Sequence, residues 1–177
     1  MKNYLIIYII GLSCVIMFIS CRKYLDVGGS PTQLTGEEVF SNDLTATAAQ
    51  LAIYAQMEQE GLALTMQVNG GLSSEEYINY STTPDAVGIA TNNITPENGV
   101  ILTMWTRLYK YIYQANAILE GVGTSSSLSA AARQQLEGEA LFVRAFVYYY
   151  AAALFGNIPF HVSTDASVNA SASQLTE

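Results

Sequence analysis

The sequence predicts an all-α domain whose helices are joined by long polar loops, and three observations carry that expectation. Apolar residues recur at helical spacing through two long segments, Trp105 to Leu119 and Leu136 to Leu154. Each segment ends in a cluster of Gly, Ser or Pro of the kind that stops helices. Half of the 177 residues are apolar and only 12% are charged, which fits one domain with a real core and neither a disordered chain nor a coiled coil.

At the start of the chain, Lys2 is the only charge before Arg22, and between them runs the apolar stretch Tyr4 to Ile19. A spanning helix takes about 20 apolar residues, so this run is marginal as a permanent anchor and has the layout of a secretory leader. It closes on Phe18-Ile19-Ser20-Cys21, which resembles a bacterial lipoprotein signal cleaved before a cysteine that then carries acyl chains. Residues 1–20 are therefore expected to be a signal peptide and Cys21 the lipid anchor, the alternative being an uncleaved signal anchor. Two or more acyl chains hold a soluble domain stably at a bilayer. Cys14 leaves with such a leader, so the mature chain would carry no free thiol. Residues 21–35 hold Gly28-Gly29-Ser30-Pro31 and little periodicity, and read as a tether.

Glu37 to Phe40 suits one short turn. A first helix is expected from Asn42-Asp43, both good N-caps, to a stop at Gly61, with Leu44, Ala48, Leu51, Tyr54 and Ala55 on its apolar face. Residues 65–99 lose periodicity and carry Gly70-Gly71, Pro84 and Pro96, so they read as one long loop of the kind that is usually functional or disordered. The second helix places Trp105, Leu108, Tyr109, Ile112, Asn116 and Leu119 on one face and is expected to stop at Gly121-Val122-Gly123. The third starts from Ser129 as N-cap and runs to Phe155, with Leu136, Ala140, Val143, Val147, Tyr150 and Leu154 aligned. From Ala140 onward Phe142, Ala145, Phe146 and Tyr149 make its opposite face apolar too, which predicts burial on both sides by a partner or by further sequence.

Composition narrows the chemistry. Seven Lys+Arg against 15 Asp+Glu give a net charge of -8, and no basic cluster supplies the footprint of a nucleic-acid binder. Two cysteines make neither a disulfide scaffold nor a zinc site, and a single histidine, His161, counts against a metal cluster or a Ser-His-Asp triad. No metal or cofactor is expected. Glu58/Glu60, Glu75-Glu76 and Glu137/Glu139 are too close along the chain to face one another across a glycosidase cleft. His161, after a proline turn, reads as a surface residue without a role.

Helix three, Leu136-Glu-Gly-Glu-Ala-Leu-Phe-Val-Arg-Ala-Phe-Val-Tyr-Tyr-Tyr150, with the turn Phe155-Gly-Asn-Ile-Pro-Phe160, closely resembles a signature of the SusD/RagB family of outer-membrane lipoproteins. The helix from Trp105 to Glu120, the start Cys21-Arg-Lys-Tyr-Leu-Asp26 and Thr35-Gly-Glu-Glu-Val-Phe40 are similar to family segments in the same order. The resemblance implies tetratricopeptide-like helix pairs in a surface-exposed outer-membrane protein of Bacteroidota type. Such proteins sit over a SusC-like TonB-dependent transporter and capture glycans, or peptides in some members. It also implies that residues 36–177 are the N-terminal helical domain of a longer protein, truncated at its C-terminus. Arg22-Lys23 stand where members often carry an acidic run used for surface export.

Candidate site residues follow. Tyr77 and Tyr80 lie in the aperiodic stretch, where rigid aromatic faces suit the C–H faces of sugars, and packing the loop down is the competing role. Trp105 and Tyr148-Tyr149-Tyr150 are expected to pack the core. Asn116 reads as a satisfied buried amide, and Arg144 and Glu139 as structural charges that each pair with another element. The expected function is nutrient binding without catalysis. A hydrolase would need acid/base geometry that these residues lack, whereas a non-binding adaptor or an inactive truncated product would lack only the ligand.

Overall fold

The computed structural model of the chain describes residues 35–170 and 172, so the expected leader, Cys21 and the tether before Thr35 lie outside the described residues. Among the described residues seven helices follow one another: α1 (Gly36–Val39), α2 (Asp43–Gln59), α3 (Leu62–Ser73), α4 (Pro84–Ala90), α5 (Gly99–Thr124), α6 (Ala130–Phe155) and α7 (Ala166–Asn169). No sheet forms among the described residues.

The helices begin where side chains can satisfy their first N–H groups. Asn42 Oδ1 accepts from the Thr45 N–H at 3.0 Å, Asn98 Oδ1 from those of Val100 and Ile101 at 3.1 and 3.2 Å, and Ser129 Oγ from that of Ala132 at 3.2 Å. The Ser129 N–H donates to Asp43 Oδ1 at 2.9 Å, which ties the start of α6 to the start of α2. Hydrogen bonds from Ser129 hold the Asp43 carboxyl below its ordinary range.

α5 and α6, each about 39 Å long at 1.5 Å per residue, form the central antiparallel pair, with α2 against both and α3 and α4 at the α5 N-terminus. The core consists of Leu108, Ile112 and Ala115 from α5, Leu136, Ala140, Val143 and Val147 from α6, and Ala46 and Ile53 from α2. Tyr111 is also fully buried; its hydroxyl donates to Glu60 Oε2 at 2.7 Å, so the ring leaves water without stranding its polar atom. Burial, reinforced by that bond, pushes the Tyr111 hydroxyl well above the usual phenol range.

The structure corrects several sequence expectations. Residues 65–99 are not one loop: they contain the rest of α3, all of α4 and the short loops on either side. Pro84 occupies the first turn of α4, where its missing N–H costs nothing, so it starts a helix and does not break one. Gly61 does stop α2, in a left-handed conformation (φ 59°), but α3 begins at the next residue.

The second helix starts earlier, at Gly99, and runs through Gly121 and Gly123 to Thr124. Gly121 is a point of close approach: a Cβ there would lie 2.0 Å from the Phe40 ring. On α2 the buried face is Ala46, Gln50 and Ile53, whereas Leu44 and Leu51 are 79% and 57% exposed. An Ala-rich helix presents nearly uniform hydrophobicity, so its two leucines misled the assignment of its face.

The second apolar face of α6 is uncovered among the described residues, with Phe142 64% and Tyr149 70% exposed. Tyr148 is buried, so the three consecutive tyrosines divide between core and surface.

Candidate functional site

The end of the domain opposite the α5–α6 turn is built from α3, α4 and the loops 74–83 and 91–98. The first loop leaves α3 through Glu75, held at φ 63°, and the second leaves α4 through Asn92, at φ 52°. Both are left-handed positions that non-glycine residues seldom adopt and that the surroundings must enforce. Asn92 is held from the side: its Nδ2 donates to the Ser73 carbonyl at 2.9 Å, and its Oδ1 accepts from the Ser73 hydroxyl. Asp85 Oδ2 accepts from the Gly99 N–H at 3.1 Å and Asn98 Nδ2 donates to the Asp85 carbonyl at 3.0 Å, fixing α4 to the first turn of α5.

The two loop tyrosines have different environments. Tyr77 packs its ring on Gly71, where a Cβ would approach to 2.5 Å. Its N–H donates to the Gly71 carbonyl at 2.9 Å and its hydroxyl accepts from Gln67 Nε2 at 3.0 Å. Tyr80 is 87% exposed. It sits in a turn closed by Asn79, whose Oδ1 accepts from the Ser81 N–H at 2.9 Å and whose Nδ2 donates to the Ser81 carbonyl at 3.1 Å. The loop therefore holds Tyr77 down and projects Tyr80.

Ser73 and Ser74, from which this loop departs, also border a cavity of about 450 Å³ walled by Ile89, Ile94, Met104 and Leu154. That volume lies within the ~300–1,000 Å³ of small-molecule sites. No motif announced this cavity, because its walls come from four separate elements. A larger groove of about 640 Å³ lies at the other end of α5, between Phe40, Tyr113, Glu120 and the Ser125–Ser127 turn. Among the described residues no group of three His, Cys, Asp or Glu side chains could hold a metal.

The remaining candidates cluster away from the loop. Asn116 is fully buried; its Nδ2 donates to the His161 carbonyl at 3.0 Å and its Oδ1 accepts from Arg144 Nη1 at 2.9 Å. Tyr148 donates its hydroxyl proton to the same carbonyl at 2.9 Å and accepts from the His161 N–H at 2.6 Å, while the Tyr109 hydroxyl donates to Pro159 O at 2.8 Å. Burial pushes the Tyr109 hydroxyl up to about 12 and also raises that of Tyr148. Asn116 and these tyrosines clamp the segment after α6 onto the helix pair.

His161 thus differs from the bare surface residue expected: it is half-buried, with its ring edge-on to Tyr109 at 5.3 Å. Trp105 packs between Tyr109, tilted at 4.7 Å, and Phe155, edge-on at 5.0 Å. Glu139 accepts from the Tyr54 hydroxyl at 3.4 Å and from Gln135 at 2.8 Å.

Residues 23–177 match the model of a SusD-like family described as starch-binding and associating with the outer membrane, and the chain belongs to that family. Its curated relatives include three proteins of Formosa agariphila. The chain is 26% identical to SusD-like protein P38 over 89% of its length, 28% identical to SusD-like protein P2 over 90%, and 24% identical to SusD-like protein P25 over 80%. These alignments cover 30%, 31% and 28% of the relatives, so the chain spans under a third of their length. No solved structure matches the chain at a significant level.

Proposed function

We propose that this chain forms the N-terminal, lipid-anchored part of a non-catalytic cell-surface receptor. The receptor captures an oligosaccharide, or a peptide, and delivers it to a SusC-like TonB-dependent transporter in the outer membrane. Binding needs no cofactor and no nucleic acid. Cys21 carries the anchor, residues 21–35 are the tether, and residues 36–177 present the ligand-facing loop.

The observation that carries the reading is Tyr80, 87% exposed at the tip of a loop whose backbone is held by its own side chains. A rigid aromatic face with little entropy to lose can stack on a sugar ring, while Asn79, Glu75 and Glu76 offer polar partners to hydroxyls. The test is retention of neutral oligosaccharides by the full chain, together with co-purification of a TonB-dependent transporter from outer membranes. Release of the Cys21→Ala protein from the membrane fraction supports the anchor; tight retention of that variant refutes it.

One observation favours a second reading, a structural adaptor. The aromatic face of α6, with Phe142 and Tyr149 exposed, suits a protein contact. An adaptor co-purifies with the transporter and retains no saccharide.

A further inference from the structure

Not one Lys, Arg or His stands between Lys23 and Arg107, so α1 to α4 and both loops of the Tyr80 end contain no cationic side chain. The four Lys and Arg side chains that follow are engaged elsewhere. Lys110 Nζ lies 2.6 Å from Glu60 Oε1 and Arg107 Nε 3.4 Å from Glu60 Oε2. Arg133 donates to the carbonyls of Val122 and Ser125 at the far end of α5, and Arg144 donates to Asn116.

At α5 the other common device for holding an anion, the N-terminus of a long helix, is also occupied, and α4 is only seven residues long and begins on Pro84, which has no N–H to give. The first N–H groups of α5 donate to Asp85 Oδ2 and Asn98 Oδ1 of the chain itself. The loops at this end, 74–83 and 91–98, carry the exposed carboxylates of Glu75, Glu76 and Glu97. Sulfates and uronates are recognised by charge-assisted bonds from Arg or Lys, and like charges brought together oppose binding.

We propose that the Tyr80 end of this domain selects uncharged oligosaccharides and rejects sulfated or uronic ones. The proposal rests on the glycan-binding reading above and deepens it: Tyr80 supplies affinity that is blind to charge, and the carboxylate rim supplies the discrimination.

The experiment uses the full chain in detergent against immobilised matched pairs, each a neutral glucan, xylan or galactan and its chemically sulfated counterpart. At low salt the neutral member of any retained pair is expected to bind at least about fivefold more tightly, as two or three weak exposed-charge repulsions require. The gap closes in roughly 0.5 M salt, where the Debye length falls to a few ångströms. Glu97→Lys, at an exposed position, should narrow the gap about twofold at low salt without changing retention of the neutral member. Equal or tighter binding of the sulfated member by the parent chain overturns the proposal. Retention of neither member of any pair overturns the glycan reading itself, a separate failure from a preference for the anionic one.

Discussion

Two buried amides, Asn116 and Gln50, are both fully removed from solvent, yet removing them should have opposite effects. Asn116 spends its donor on the His161 carbonyl and its acceptor on the Arg144 guanidinium, at 3.0 and 2.9 Å. Asn116→Leu keeps the approximate volume but deletes the neutral bond to the His161 carbonyl and the charge-assisted bond from Arg144, together with a long 3.4 Å bond to the Ser163 carbonyl, and strands a half-buried guanidinium. At about 1 kcal/mol for the first and ~1.5–3 kcal/mol for the second, the loss is roughly 2–4 kcal/mol.

Among the described residues Gln50 makes no hydrogen bond of ordinary geometry through either amide atom, although the Tyr54 hydroxyl lies nearby. Leaving a buried amide unpaired costs about 1–3 kcal/mol, so the near-isosteric Gln50→Met should stabilise by ~1 kcal/mol or more. Urea unfolding reads both effects. With a slope of about 2 kcal/mol/M, the midpoint falls by roughly 1–2 M for Asn116→Leu and rises by about 0.5 M for Gln50→Met, at unchanged slope. Destabilisation of similar size in both variants would refute the assignment of partners.

Three further outcomes follow from named contacts. Gly121→Ala pushes a methyl into the Phe40 ring and should cost about 1–3 kcal/mol, with thermal unfolding as the readout; substitution at Gly123, whose Cβ direction is open, should not. Gly71→Ala should dislodge Tyr77 and change its near-ultraviolet dichroism while Tyr80→Ala leaves thermal stability unchanged. Glu60 is held below its usual carboxyl range by its bonds from Lys110 and then Tyr111. Its stabilisation is complete above the unfolded value near 4.5 and is lost as pH falls through the lower folded value. Glu60→Gln should therefore cost about 1 kcal/mol at pH 7 and flatten the acid limb of the stability profile, measured by urea unfolding from pH 3 to 7.

The long pair α5–α6 is legible because each helix keeps an apolar stripe at helical spacing and Ser129 is a good cap, whereas the Asn98 cap lies well ahead of the stripe that starts at Trp105 and has no periodic signal beside it. α2 is legible as a helix but not by face, since its alanines are spread around the helix and Ile53 rather than Leu44 turns inward. α3 was hidden by Gly70-Gly71, which read as a break; Gly71 is there because the Tyr77 ring lies on it. α4 was hidden by Pro84, whose place in a first helical turn looks in sequence like an interruption. At the site, sequence placed Tyr77 and Tyr80 in one stretch but could not separate them. That separation depends on a glycine contact and an Asn79 turn, neither of which has a periodic signature.

The central claim is that Tyr80 is the aromatic platform of a glycan site. The most direct measurement compares the affinity of the parent, Tyr80→Ala and Tyr77→Phe chains for the neutral oligosaccharide that the parent retains best. Tyr80→Ala is expected to weaken binding about tenfold, the equivalent of a ~1.4 kcal/mol stacking contribution, with Tyr77→Phe close to the parent. Unchanged affinity in Tyr80→Ala would contradict the claim and return that exposed ring to the surface.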